Sequence, residues 1–411
     1  MNATAIQHVL VTQGFLVNIA GSETVTFEIA EYFAGTGARV TVVTHAINEI
    51  WSSQFASIAG VTVRLAGDPE LDDALRSDPP QLAWLHHGLI PEFLLRNPRD
   101  TTVIFNQMSG AHPLEYPYSL AAVRSLATLV SFNADEIRDI QIASHILDGI
   151  DPARFVIFGN PAPDAFFSER PNASIDLSRL LVVSNHLPPE LLDAVSLLRS
   201  TGLAVEVLGL EADKADRVER VGPATIAAAD AVVTIGKTVQ YSLASGTPVY
   251  CYDKFGGPGW LDERNFDRAR AYNFSGRSFS TKSAEEIFEE IIGDFTEAGR
   301  NATRLRALHG ASLTMSGRME QLIHAAADAE PPTYTLDETE IVAHLKMQQS
   351  LGAYVAVAAH SEAITASTIQ SVQETRRHLV ELETSRSYKF ARQLSALATR
   401  AKSIVRRPVG S

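Results

Sequence analysis

The chain has 411 residues, enough for two to three domains of ordinary size. Apolar residues make up 45% and charged residues 20%, which excludes a disordered or low-complexity chain; the single cysteine, Cys251, excludes an internal disulfide or a zinc site built from several cysteines. The net charge of −13 is unevenly placed: residues 384–411 hold seven basic residues and no acidic one, so the acidic remainder is a poor partner for nucleic acid.

The opening MNATAIQHVLVTQG lacks the basic start, apolar run and cleavage site of a signal peptide. No stretch of about 18 apolar residues occurs, so no transmembrane helix is expected. With a lone thiol, this points to a reducing, cytoplasmic setting. His8–Thr12 is a short apolar run that predicts a strand. A helix is expected near Glu23–Ala34, ended by Gly35 and Gly37. Further strands are predicted at Arg39–Thr44, Val61–Leu65, Leu82–Leu85, Thr102–Phe105 and Leu129–Phe132. Asn133, with Glu136 three residues on, is a near capping box and predicts a helix to Gly149. Short buried strands separated by helices imply a parallel sheet covered on both faces.

Gly159-Asn-Pro-Ala-Pro-Asp164 reads as a linker. A second α/β series follows: strands at Leu180–Ser184, Ala204–Leu208, Ala231–Ile235 and Val249–Tyr252, helices near Glu190–Arg199 and Thr238–Ser245. After Ser283, which starts a helix with Glu285 and Glu286 in its first turn, only helices are expected. Glu330-Pro-Pro332 is a break. From Glu338 to Glu383 there is no proline and one glycine, Gly352, which predicts a long helix or helical hairpin and a surface for homo-oligomerisation. In the basic tail Phe390, Leu394, Leu397, Ala401 and Ile404 fall on one helix face. Such a helix suits an anionic membrane surface, a dock on the acidic body, or plain solvation.

Three loops could carry chemistry. Gln13–Glu23 follows the first strand and places Gly21 and Ser22 just before a helix, where backbone amides approach an anion; an ordinary βα turn would look the same. Ala231-Val-Val-Thr-Ile-Gly236-Lys237-Thr238 is strand, tight turn and helix start, a phosphate cradle in miniature, although it lacks the Walker spacing and also fits a capped helix with a solvated lysine. Asp253-Lys-Phe-Gly256-Gly257-Pro-Gly-Trp260 follows the next strand; Asp253 suits hydroxyls, Lys254 suits phosphate, the glycines suggest a flexible backbone and Trp260 an apolar platform. His86, His87, His112 and His186 sit at strand ends, where doubly wound sheets bind ligands, yet single histidines also serve as core or surface residues. No pattern suggests a metal.

Together these segments resemble GT-B glycosyltransferases, most closely the family 4-like group of bacterial cell-envelope polysaccharide enzymes. GSETVTFEIAEYFAGTGARVTVVTH is similar to that group's GG-x-E helix and following strand. FVIFGNPAPDAFF resembles the N-P-x-D-x-x-F segment that ends the first domain, and GKTVQYSLASGTPVYCYD resembles the donor segment. The E-x7-E signature is absent: Tyr241 stands at the ribose-binding glutamate, with Gln240 or Asp253 as substitutes, and SNHLPPE replaces a glycine-rich phosphate loop.

The resemblance spans about residues 8–325 and implies an α/β fold of two Rossmann-like doubly wound domains with a C-terminal helical extension. Its expected domains are 1–165 on the acceptor side, 166–330 for the donor, and 331–411 as a helical extension with a basic amphipathic tail. It implies metal-independent, retaining transfer from a nucleotide-diphosphate sugar, used as substrate with no cofactor, to a glycan or lipid-linked acceptor. The expected catalytic residues are His112, Glu23 and Asp253. Gly21, Ser22, Gly236, Lys237 and Thr238 are expected on the donor phosphates; Asn185, His186, Gln240, Tyr241, Gly256 and Gly257 on the nucleoside and sugar. A cytoplasmic protein at the inner face of the membrane is the expected setting. A nucleotide-sugar epimerase of the same fold, or a non-catalytic module serving as an assembly partner, are the rival readings.

Overall fold

The computed structural model describes residues 5–17, 19–86, 88–110, 117, 119–167, 176–210 and 214–357. The chain divides into two units, Met1–Ala353 and Tyr354–Ser411. Of the second, residues 354–357 are described and are helical. His87, His112, most of the expected long helix and the whole basic tail lie outside the described residues.

The first unit holds two sheets. The first has seven strands: β1 (His8–Thr12), β2 (Arg39–Thr44), β3 (Val61–Leu65), β4 (Leu82–His86), β5 (Thr102–Gln107), β6 (Leu129–Phe132) and β7 (Phe155–Ile157). All pairs are parallel, in the order β3-β2-β1-β4-β5-β6-β7, so the connections reverse direction between β1 and β4. Helices α1 (Gly21–Gly35), α2 (Glu49–Ala56), α3 (Leu71–Ser77), α4 (Glu92–Arg96), α5 (Leu120–Leu126) and α6 (Asp135–Ala143) link them. The β-branched runs are buried on both faces: Val9 and Val11 join one core with Phe33 and Trp51, while Leu10 joins another with Leu94 and Phe105.

The second sheet has five strands: β8 (Arg179–Val183), β9 (Ala204–Leu208), β10 (Ala231–Thr234), β11 (Val249–Asp253) and β12 (Gly256–Trp260). Its order is β12-β11-β10-β8-β9, parallel except for β12, and it reverses between β8 and β10. Helices α7 (Pro189–Ser200), α8 (Pro223–Ala227), α9 (Lys237–Ser245), α10 (Phe266–Ala271), α11 (Ala284–Gly293) and α12 (Phe295–Leu313) pack around it. Ser283 starts α11 through a capping box with Glu286, as its spacing predicts.

Three expectations change. Residues 256–260 form an edge strand, not a flexible loop; Pro258 is tolerated because an edge strand has an unpaired side. Asn133 does not cap α6, whose N-cap is Ala134; its side-chain amide instead donates to the Met108 carbonyl at 2.8 Å, tying the end of β6 to the end of β5. The second lobe stops at the end of α12, well short of residue 330. There the chain crosses back beside its first crossing: the Ala162 amide donates to the Leu313 carbonyl and the Met315 amide to the Ala162 carbonyl, each at 2.8 Å. Helix α13 (Met315–Asp328) then buries Met315, Met319, Leu322 and Ile323 in the first lobe's core. Residues 338–353 are helical as well, and Ile341 joins the first lobe's other core. Among the described residues no helix is long and apolar enough to cross a membrane.

Candidate functional site

A cleft of about 450 Å³ lies between the lobes, within the usual range for small-molecule sites. It is lined from loops that leave the carboxyl ends of strands in both sheets: 19–22 and Thr24 after β1, Met108 after β5, 183–186 at the end of β8, 234–238 at the end of β10, and Asp253 and Lys254 after β11. It spans both points where strand order reverses, the position at which open α/β sheets bind ligands.

Two helices begin at this cleft. Neither α1 nor α9 has a side-chain cap, so their first-turn amides lack that partner, and a helix N-terminus favours an anion. Gly236, the N-cap of α9, has φ of +65°, a conformation that glycine reaches without strain, and its amide donates to the Phe274 carbonyl. Gly21, Ser22, Gly236, Lys237, Thr238, Asn185, His186, Tyr241 and Asp253 all line the cleft.

Around Asp253 the polar groups form a chain. Ser184 Oγ donates to the Asp253 carboxylate at 3.0 Å and accepts from the His186 amide at 3.1 Å; the Lys254 amide donates to Asp253 at 2.7 Å. Burial pushes the Asp253 carboxyl above its usual range. Glu23 is buried and does not line the cleft; it accepts from Ser22 Oγ at 3.1 Å, and Ser22 accepts from Gln13 Nε2 at 3.2 Å. These bonds tie Glu23 to the loop after β1.

The sharpest correction concerns Lys237. Its ammonium lies 2.6 Å from the Glu28 carboxylate of α1 and donates to the Asn160 and Pro161 carbonyls at 3.3 and 3.0 Å. Tyr241 donates to the other Glu28 oxygen and stacks on Phe166 with ring centroids 4.1 Å apart. Burial pushes the Glu28 carboxyl up and the Lys237 ammonium down, and their mutual attraction opposes both shifts. This triad joins the lobes, so the lysine borders the cleft with its charge already matched. Gln240 is buried outside the cleft lining. Gly256 and Gly257 lie in β12, also outside it, and a Cβ at Gly257 would sit 1.9 Å from the Cys251 carbonyl oxygen. Trp260 is buried, donating to the Glu290 carbonyl.

Among the described residues, two further cations line the cleft. Arg220 lines it with its guanidinium 4.5 Å above the Phe27 ring, and Lys254 lines it from an exposed position. Arg220 has no signature in the sequence, standing in the long loop between β9 and α8.

No family model matches the chain, and no curated protein matches it. Solved structures do. A glycosyltransferase from Rickettsia africae ESF-5 aligns at 10% identity over 79% of this chain and 98% of that one, with a TM-score of 0.52. Anabaena Alr3699/HepE in complex with UDP-glucose aligns at 13% identity over 78% and 99%, with a TM-score of 0.50. The same protein with UDP and glucose gives the same identity, coverage and score. The fold is therefore GT-B: two Rossmann-like domains facing each other across a cleft, with further helices at the C-terminal end.

Proposed function

We propose that this chain is a glycosyltransferase that binds a nucleoside-diphosphate sugar in the inter-lobe cleft and passes the sugar to a glycan or lipid-linked acceptor. The observation that carries the reading is convergence: two uncapped helix N-termini and the Arg220 guanidinium meet in one cleft at both strand-order reversals. A diphosphate is the ligand group that such a set suits best. In this reading the charge of the departing diphosphate falls on the α1 and α9 termini, Arg220 and Lys254. Asn185, His186 and Asp253 meet the hydroxyls of the donor, and the acceptor approaches from the first lobe. UDP and UDP-glucose are the ligands held by the similar Anabaena protein, which makes them the first probes. Retaining stereochemistry, a family 4 kinship, cell-envelope glycan synthesis and a cytoplasmic membrane face belong to the same proposal.

Calorimetric titration with UDP, UDP-glucose and GDP-mannose tests it. Binding of at least one is expected, followed by transfer when acceptors are supplied. A second reading, a non-catalytic module of this fold, draws on Glu28: it occupies Lys237 and Tyr241, two positions that the resemblance assigns to ligand. That reading requires no nucleotide to bind. Conversion of the donor sugar with no acceptor present would favour an epimerase.

A further inference from the structure

A second cavity, of about 380 Å³, lies in the first lobe and shares no lining residue with the inter-lobe cleft. One side is made by the chain leaving β2 and β3, at His45 and Gly67; the other is the helix at 338–353. That helix is fixed in place. Gln348 accepts the Ile90 amide at 2.8 Å, and Glu338 takes two guanidinium nitrogens of Arg96 at 2.8 and 3.1 Å. Gly352 lies against the imidazole: a Cβ there would stand 2.4 Å from His45 Nδ1. The only glycine in the expected long helix is thus where close approach to His45 demands it.

The lining chemistry narrows the ligand. Two carboxylates, Asp72 and Glu92, line it, with Glu92 held by Arg96 Nε at 2.6 Å, and among the described residues no lysine or arginine lines it, the reverse of the cleft with Arg220, Lys237 and Lys254. A phosphate or carboxylate ligand would meet the Asp72 carboxylate with no lining cation to offset it. Asp72 Oδ1 accepts the Phe93 amide at 2.7 Å, which orients the carboxylate. His45 Nε2 is buried without a hydrogen-bond partner. The Asp72 carboxylate can accept from hydroxyls and the Gln349 amide can both accept and donate, while leucine, valine and proline side chains supply apolar wall. We propose that this cavity is a second binding site, for a neutral, hydroxyl-rich ligand of saccharide type. The proposal does not depend on what the inter-lobe cleft binds.

Saturation-transfer NMR on the full chain tests it, with glucose, galactose, mannose and N-acetylglucosamine as probes and glucose 1-phosphate as the anionic control. At least one neutral sugar should give signal that saturating UDP leaves unchanged, with the anionic control giving none under UDP. Gly67→Phe should cut that signal about tenfold or more; a Cβ at Gly67 meets nothing within 4 Å, so the side chain leaves the backbone without a clash, and an unchanged Tm checks that the fold is kept. Ala353→Trp, on the exposed side of the helix rim, is the second blocking variant. Signal from none of the neutral sugars, signal abolished by UDP, signal untouched by both variants, or equal signal from glucose 1-phosphate would overturn the assignment. UDP binding, measured in parallel, reports on the cleft alone and separates this outcome from failure of the transferase reading.

Discussion

Lys237 and Arg220 show how two cations on one cleft divide their work. Lys237 is buried against Glu28, and removing one member of a buried pair leaves the other charge uncompensated. Lys237→Ala should therefore destabilise the protein by about 3–5 kcal/mol in urea unfolding. Combining Lys237→Met with Glu28→Leu should recover most of that loss, since an apolar pair of similar volume is often neutral. Arg220→Ala should behave oppositely. It forfeits a cation–π contact worth about 0.5–1 kcal/mol, yet it should weaken UDP binding about tenfold to a hundredfold, the value of a charge-assisted hydrogen bond. Calorimetry with UDP decides; equal affinity in Arg220→Ala removes it from the site. Lys237 was legible in the sequence because it follows a strand and a glycine. Its pairing was not, since Glu28 is 209 residues away and reads as one more exposed helix charge. Arg220 was invisible because a loop rich in Asp, Lys, Glu and Arg looks like solvated surface.

At the scale of elements, the β-branched runs between helices were readable because strands buried on both faces need apolar side chains in succession. The failures have equally physical causes. β7 is three half-buried residues, too few to form a pattern. β12 reads Gly-Gly-Pro-Gly-Trp, turn chemistry by composition, and its pairing with β11 supplies the order that composition denies. The apolar spacing of α13 predicts a helix but carries no information on which sheet it covers; its buried face joins the first lobe's core. The glycines of the two ligand-type loops also separate by steric test. At Gly257 a Cβ would collide with the Cys251 carbonyl oxygen, whereas at Gly21 it would meet nothing within 4 Å. Gly257→Ala should thus lower stability by about 1–3 kcal/mol or more through overpacking, seen as a fall in Tm. Gly21→Ala should leave Tm unchanged or slightly higher, and should weaken UDP binding if the α1 terminus receives phosphate. Matching losses in both variants would contradict the placement of β12.

Across the first unit, both its ends build the first lobe, because the two crossings at 162 and 313–315 return α13 and the helix at 338–353 to it. The sequence carries this only as a proline break followed by an apolar stripe. It makes the stability of the first lobe sensitive to how the last helix docks, and His344 offers a probe. His344 is 3% exposed, and burial pushes its pKa from 6.5 down to about 4. Between those values the unfolded chain holds a proton that the folded one does not, so stability falls as pH drops through this window and the loss is complete below about 4. For this one group, moving from pH 7 to pH 5 should cost about 2 kcal/mol. Burial lowers the pKa of His8, His45 and His309 as well, which steepens the same slope. His344→Gln removes one titrating group and should flatten the pH dependence by that amount, whatever it does to stability at pH 7. Urea unfolding of both proteins at pH 7 and pH 5 reads the difference; parallel slopes would show that the imidazole takes up its proton without leaving its seat.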